Sequence, residues 1–127
     1  MSDRPPAARL SLRIDFPNGE RLGPGKVRLL EAIAAHGSIS AAGRSMGMSY
    51  RRAWLLVDAL NGMFDGPLVG SHQGGSGGGG ASLTPLGLEV VRLYRQIERE
   101  AQAGAGEKLA ILARYSREEA QGLPKRE

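Results

Sequence analysis

A run of residues dominated by glycine, residues 70–81, most strongly constrains what this chain can fold into. It reads Gly-Ser-His-Gln-Gly-Gly-Ser-Gly-Gly-Gly-Gly-Ala and separates a compact helical pattern from the sequence Leu-Thr-Pro at 83–85. Alone, such a run is typical of a flexible linker or of low-complexity filler. Because short strand candidates flank it at residues 68–69 and 81–83, it predicts the tip of a β-hairpin, the wing of a winged helix.

Length and composition limit the class of protein. The 127 residues suffice for one domain with its own core. No apolar run approaches the roughly 20 residues of a membrane span, and the first residues lack the layout of a signal peptide. The absence of cysteine excludes disulfides and thiolate metal ligands, and a cytoplasmic protein is expected. The net charge of +4 permits nucleic-acid binding without requiring it.

The first quarter of the sequence predicts a β-hairpin followed by a helix. Residues 10–16 alternate apolar and polar side chains, as a half-buried strand does. The Pro-Asn-Gly sequence at 17–19 predicts a turn, and residues 20–22 a short return strand. The Gly-Pro-Gly sequence at 23–25 is expected to break the chain before a helix over residues 26–35.

Two short helices joined by a glycine-containing turn follow, an arrangement typical of DNA-binding proteins. The first is capped by Ser38 or Ser40 and extends to about residue 46. The second is capped by Ser49 and extends to about residue 63. Its buried side is expected to contain Ala53, Val57 and Leu60, with Trp54 and Leu56 packed alongside.

The first turn of that second helix carries the chemistry of a DNA reader. In helix-turn-helix proteins this turn lies in the major groove near base edges. Arginine pairs bidentately with guanine or holds a phosphate, and hydroxyl groups bond phosphate oxygens. Arg44, late on the preceding helix, is placed to contact the DNA backbone, and no acidic residue occurs between Glu31 and Asp58. The candidate recognition residues of the first turn are Ser49, Tyr50, Arg51 and Arg52.

A long helix is predicted after the glycine run. Thr84 serves as its N-cap and Pro85 as its first residue, and an apolar stripe continues to about residue 103. Residues 104–106 interrupt the pattern, and a short helix over residues 108–115 follows.

Residues 33–54, Ile-Ala-Ala-His-Gly-Ser-Ile-Ser-Ala-Ala-Gly-Arg-Ser-Met-Gly-Met-Ser-Tyr-Arg-Arg-Ala-Trp, resemble the N-terminal DNA-binding domain of the ModE family. These are molybdate-responsive bacterial transcription regulators whose winged helix is related to that of LysR-type regulators. The glycine-rich wing and the Leu-Thr-Pro-Leu-Gly sequence at 83–87 match the same family, and the resemblance covers residues 10–103. It implies a mainly α fold with small β-hairpins, a winged helix-turn-helix with a long C-terminal dimerisation helix.

The resemblance also implies a homodimer in which the long helix packs against its twin. The stripe of Val90, Val91, Tyr94 and Ile97 fits that role, and packing onto the chain's own core is the alternative. A two-fold dimer binds double-stranded DNA at a pseudopalindromic operator. The predicted organisation is a disordered tail at residues 1–8, a winged helix-turn-helix domain at 9–84, the dimerisation helix with a short following helix at 85–115, and a charged tail at 116–127.

The sequence departs from the family pattern in two ways. The family's wing commonly carries an arginine at its base and a lysine at its tip, where this sequence has Ser71 and Ser76. DNA contacts from this wing are therefore expected from backbone N–H groups, from His72 and Gln73, and from the Ser76 hydroxyl. About two dozen residues follow the long helix, too few for the family's molybdate-binding domains, so no oxyanion site or cofactor is expected.

No catalytic or metal site is predicted. The Gly-Pro-Gly-Lys sequence at 23–26 lacks the spacing of a phosphate-binding loop, and His36 and His72 fall on separate elements. An enzyme activity is therefore not expected. The alternative function is a winged-helix protein-interaction module that no longer reads DNA specifically. A signal could also reach a DNA-binding form through a separate effector protein, or through a small oxyanion at the dimer interface.

Overall fold

A computed structural model describes residues 8–73 and 79–117 of the chain. Over these residues the chain forms five helices and two antiparallel two-stranded sheets, which confirms the mainly α architecture with small β-hairpins. None of these helices is long and apolar enough to cross a lipid bilayer. The elements are β1 (Ile14–Asp15), β2 (Arg21–Leu22), α1 (Pro24–His36), α2 (Ile39–Ser45), α3 (Tyr50–Asn61), β3 (Val69–Gln73), β4 (Gly79–Leu83), α4 (Pro85–Gly104) and α5 (Gly106–Tyr115).

Polar caps fix the starts of three helices where the sequence places them. The side-chain oxygens of Ser38, Ser49 and Thr84 each accept the N–H three residues further on, at 3.0, 3.1 and 3.0 Å. Gly37 adopts a left-handed conformation with φ +78 and ends α1. Because the first N–H groups of a helix have no partner within it, such caps decide where helices start.

Two boundaries near the start of the chain differ from the prediction. The strand predicted over residues 10–16 forms ladder pairs only at Ile14–Asp15, which lies opposite Arg21–Leu22. The break predicted at residues 23–25 is wrong, because α1 begins at Pro24. Proline fits the first helical position, where its missing N–H would have had no partner.

One hydrophobic core joins α1, α3, the base of the wing and α4. Tyr94 of α4 is 1% exposed, and its hydroxyl donates to the carbonyl oxygen of Leu12 at 2.6 Å. On the core's edge, Arg95 forms an ion pair of 2.8 Å with Glu31 of α1, and its guanidinium lowers the pKa of that carboxyl. The core's other fully buried large side chains are Val27, Leu29, Leu30, Ile33, Leu60 and Leu68.

The stripe predicted for dimerisation divides between this core and the surface. Val90 and Tyr94 are buried against the chain's own residues, which is the alternative that the sequence left open. In the single chain these two residues are therefore core positions, and the groove beside them is considered below. Val91 is partly buried against the core, whereas Ile97 is 42% exposed.

Candidate nucleic-acid interface

Helices α2 and α3 pack closely to form a helix-turn-helix. The turn between them contains Gly47, which has φ +72. Gly43 of α2 lies directly against α3, because a Cβ at this position would be 2.9 Å from the Cβ of Ala53. This close approach buries one side of α3 and leaves the opposite side exposed.

The buried side of α3 consists of Ala53, Val57 and Leu60, as predicted. With 100° between successive residues, Arg51 and Leu55 lie opposite those three, at the centre of the exposed side. We call this exposed side of α3 the recognition face. Its members are Tyr50, Arg51, Arg52, Trp54, Leu55, Asp58 and Ala59, all of them exposed.

Trp54 belongs to the recognition face, and its predicted packing beside the buried stripe is wrong. Its side chain is 47% exposed, and it lies four residues after the exposed Tyr50, on the same side of the helix. Leu55 is exposed as well and was missed by the sequence reasoning. Apolar side chains in the major groove contact the methyl group of thymine. The face therefore combines guanidinium groups with apolar surface.

The predicted DNA-contacting residues of the helix-turn-helix lie around this face. Arg44 is exposed at the end of α2, where its Nη1 donates to Ser40 Oγ at 2.8 Å. Ser49 is exposed, and its Oγ accepts a backbone N–H in capping α3. Tyr50 and Arg51 stand in the first turn of α3, and Arg52 lies at the edge of the face, toward the start of α1.

The predicted contacts of the wing are only partly described. β3 and β4 pair over five residues each, so the hairpin extends further into the glycine run than the predicted strands. His72 is exposed and lies opposite Gly80, and Gln73 pairs with Gly79 through the backbone. Ser76 lies outside the described residues.

Asn61, the last residue of α3, holds the base of the wing to the recognition helix. Its Oδ1 accepts the N–H groups of Leu68 and Val69 at 2.9 and 3.0 Å, and its Nδ2 donates to the Val69 carbonyl at 3.1 Å. On the other strand, the N–H of Ala81 donates to the carbonyl of Gly37 at 2.9 Å. The wing base is therefore fixed to both α3 and the turn before α2.

We expect Asn61→Ala to lower the free energy of unfolding by about 2 kcal/mol, because three partly buried backbone groups lose their partner. Urea denaturation measures this loss. Asn61→Asp is the comparison variant, since it keeps both acceptor bonds but sets a carboxylate oxygen against the Val69 carbonyl in place of the donor, and an intermediate loss is expected. An alanine variant as stable as the original chain would show that Asn61 does not hold the wing.

The described residues contain no group of three or more His, Cys, Asp or Glu side chains that could hold a metal ion. The electrostatic character of the helix-turn-helix comes from Arg44, Arg51 and Arg52, with Asp58 two turns along α3 as its exposed acid. Such a surface favours a polyanion near the start of α3.

Comparison with known families supports this assignment of the elements. The family model of bacterial regulatory helix-turn-helix proteins of the lysR family matches residues 25–88, from the first turn of α1 to the first turn of α4. The matched segment contains the whole helix-turn-helix and the wing.

Three related proteins of known name are 40–48% identical to this chain over the matched residues. The molybdenum-pterin-binding protein MopB of Rhodobacter capsulatus is 48% identical over 80 residues, which are 63% of this chain and 30% of the relative. The molybdenum transport protein ModE of Azotobacter vinelandii is 42% identical over 96 residues, 76% of this chain and 35% of the relative. The DNA-binding transcriptional dual regulator ModE of Escherichia coli is 40% identical over 81 residues, 61% and 31% respectively.

These matches confirm the resemblance drawn from residues 33–54 and 83–87. The chain spans about a third of the length of the curated relatives it matches. The similarity therefore concerns the part of those proteins that corresponds to the winged helix-turn-helix.

Proposed function

The chain belongs to the lysR family of bacterial regulatory helix-turn-helix proteins, and on this premise we propose that it is a sequence-specific, DNA-binding transcriptional regulator of ModE type. The observation that carries the proposal is the recognition face, which sets two arginines beside exposed apolar side chains on one side of α3. Residues 49–63 enter the major groove, and the wing at residues 70–81 approaches the backbone or the minor groove.

The residues divide by the contacts that they make. Arg51, at the centre of the recognition face, contacts a base edge, and the apolar surface of Trp54 and Leu55 contacts thymine methyl groups. Arg44, at the end of α2, bonds phosphate oxygens and so fixes the position of the protein on the duplex. A regulator of this kind acts on the chromosome and therefore in the cytoplasm, and we assign it no catalytic role.

Selection of bound fragments from sheared bacterial genomic DNA at near-physiological salt tests the proposal. Enrichment of a two-fold-symmetric motif is the expected result, and the genes beside it would identify the regulated pathway. Weak binding to all fragments, lost as salt rises, would overturn sequence-specific recognition.

We further propose that the chain acts as a homodimer through α4. Leu93 and Ile97 are exposed one turn apart on this helix, and they border an apolar groove of about 230 Å³. The rest of the groove is formed by Ile14, Phe16, Leu22, Phe64, Val90 and Tyr94. Exposed apolar surface of this kind is typical of protein–protein contacts. Leu93, which the sequence reasoning did not select, thus joins Ile97 as a dimer residue.

Replacing Leu93 and Ile97 together with glutamate is expected to convert a dimer into a monomer, because two carboxylates would be buried without partners. Light scattering coupled to size-exclusion chromatography gives the mass. Leu88→Glu is the control, since Leu88 is also exposed on α4, at 57% against 43% for Leu93 and 42% for Ile97, but does not line the groove. A double variant that keeps the dimer mass would place the interface elsewhere.

A second candidate function is a winged-helix protein-interaction module. It is favoured by residues 70–81, which contain no arginine or lysine, and by α5, whose Ile111, Leu112 and Tyr115 are exposed. The two functions differ in salt dependence, because DNA binding weakens steeply with salt and an apolar protein contact does not. The names of the relatives point to molybdenum as the signal.

A further inference from the structure

Five basic side chains from three parts of the fold line one open cavity of about 480 Å³. The cavity lies between the β1–β2 hairpin, the start of α1 and the first turn of α3. We call it the basic cleft. Among the residues that the structure describes, no acid lines it. Its basic side chains are Arg13, Arg21, Lys26, Arg28 and Arg52.

Three of these side chains form no ion pair within the described parts of the chain, although Arg28 contributes to the lowered pKa of Glu31. Arg13 forms an exposed ion pair with Asp15 at 2.8 Å, and Lys26 Nζ donates to the backbone carbonyl of Arg21 at 2.8 Å. In residues 8–73 and 79–117, no carboxylate lies within 4.0 Å of the guanidinium groups of Arg21, Arg28 or Arg52. Like charges held at one cavity repel each other, and an anion bound there relieves that repulsion.

The cleft has room for an anion close to the backbone. Gly25, in the first turn of α1, has open space where a Cβ would stand, with no atom within 4 Å. The preceding Gly23 gives α1 no side-chain cap. The positive end of the helix dipole therefore adds to the field of the arginines.

The cleft and the wing lie at opposite ends of α1. Pro24 at the start of α1 lines the cleft, whereas the turn at Gly37, just beyond its end, holds β4. A helix of 13 residues is roughly 20 Å long, at 1.5 Å per residue. The major groove is about 12 Å wide, so the wing and the cleft can reach the two strands that border it.

We propose that the basic cleft binds backbone phosphates of the DNA strand that borders the major groove, on the side away from the wing. This inference rests on the proposed function. Arg52 connects the two surfaces, because it lines the cleft and also stands in the first turn of the recognition helix. The exposed heads of Arg21 and Arg28 suit a strand passing across the cavity mouth. The cleft also supplies positively charged phosphate contacts, which residues 70–81 lack because they contain no arginine or lysine.

The test removes Arg21 and Arg28 together by Arg21→Ala/Arg28→Ala in the full chain, leaving the recognition face intact. Lys108→Ala/Arg114→Ala on α5 is the matched control, since it removes the same two charges from exposed positions. Affinity for a selected operator duplex and for a scrambled duplex is measured by fluorescence anisotropy between about 50 and 300 mM salt. Two lost phosphate contacts reduce the slope of log K against log salt by about 1.8.

The expected result is that the salt slope falls by this amount on both duplexes while the ratio of the two affinities stays unchanged. The slope should not change in the α5 variant, and it should return to that of the original chain in Arg21→Lys/Arg28→Lys. The proposal would be overturned if Arg21→Ala/Arg28→Ala is folded by circular dichroism and its salt slope equals that of the original chain or of the α5 variant. Titration of inorganic phosphate into the protein distinguishes a free oxyanion from a DNA backbone phosphate as the ligand of the cleft. If inorganic phosphate binds to the original chain and not to Arg21→Ala/Arg28→Ala, while the salt slope of DNA binding is the same in both, the cleft binds a free oxyanion and the DNA assignment is overturned.

Failure of the proposed function gives a different pattern. An original chain that binds both duplexes equally contradicts sequence-specific regulation, yet a smaller slope in Arg21→Ala/Arg28→Ala would still support the cleft. An original chain that prefers its operator, with no change of slope in the variant, contradicts the cleft alone. An original chain that binds neither duplex overturns both.

Discussion

The double substitution Arg51→Ala/Arg52→Ala is expected to weaken binding to the selected operator by about 3 kcal/mol, roughly 150-fold. Arg51 lies at the centre of the recognition face, opposite the buried side of α3, where an arginine pairs with guanine. Arg52 lines the basic cleft, so its loss removes a phosphate contact. Titration of labelled operator at one fixed salt concentration measures the change.

The two single variants separate these roles. Arg51→Ala should lower the preference for operator over scrambled DNA, whereas Arg52→Ala should weaken both duplexes alike. Lys108→Ala/Arg114→Ala again controls for the loss of two charges and is expected to bind nearly as the original chain does. Operator binding as tight as that of the original chain by the Arg51→Ala/Arg52→Ala variant would show that α3 does not read the DNA.

The second large effect is expected at Gly87, in the first turn of α4. A Cβ at this residue would lie 2.2 Å from the carbonyl oxygen of Leu68 and 3.1 Å from its carbonyl carbon. Because both are backbone atoms, α4 would have to move away from the wing base. The same Leu68 oxygen accepts the N–H of Thr84 at 2.9 Å, and that bond would be strained as well. We expect Gly87→Ala to cost about 3 kcal/mol of unfolding free energy.

Gly104→Ala is the matched control for this prediction. Gly104 ends the same helix and has no atom within 4 Å of a Cβ position. Alanine favours the helix over glycine by up to about 1 kcal/mol, so this variant should be as stable or slightly more stable. Urea denaturation of both variants measures the two effects. If Gly87→Ala is as stable as Gly104→Ala, α4 tolerates displacement from Leu68 and the prediction is wrong.

Signals local in the sequence predicted the helix-turn-helix well. Ser38, Ser49 and Thr84 cap their helices as expected, and Gly37 ends α1. Capping depends on a side chain and a backbone group three residues apart, so a single sequence contains the information. The strands of the wing were predicted too short, because their pairing uses backbone groups that glycine also possesses.

Partners that are distant in the sequence could not be predicted in this way. The apolar stripe of α4 indicated a buried side, but periodicity does not say whether the chain's own core or a second chain covers it, and Tyr94 proved to be core. Trp54 was predicted to pack with the core because its side chain is large and apolar. It follows the buried Ala53, and its position on the helix turns its side chain toward solvent. The basic cleft joins Arg21, Arg28 and Arg52, which only the fold brings together.

Among the residues of the wing whose burial the structure describes, the buried side chains lie at its base, so selection for stability and selection for DNA contacts act on different positions. Val69 and Ala81 are buried, whereas Gly70, Ser71, His72, Gly79 and Gly80 are not. Mutations at Ser71 or His72 can change the affinity for DNA with little effect on folding, whereas a Cβ at Gly80 would lie 2.6 Å from His72 Cε1 and 3.2 Å from the Gly37 carbonyl oxygen. Divergence in operator preference among related chains can begin at the wing while the core remains the same.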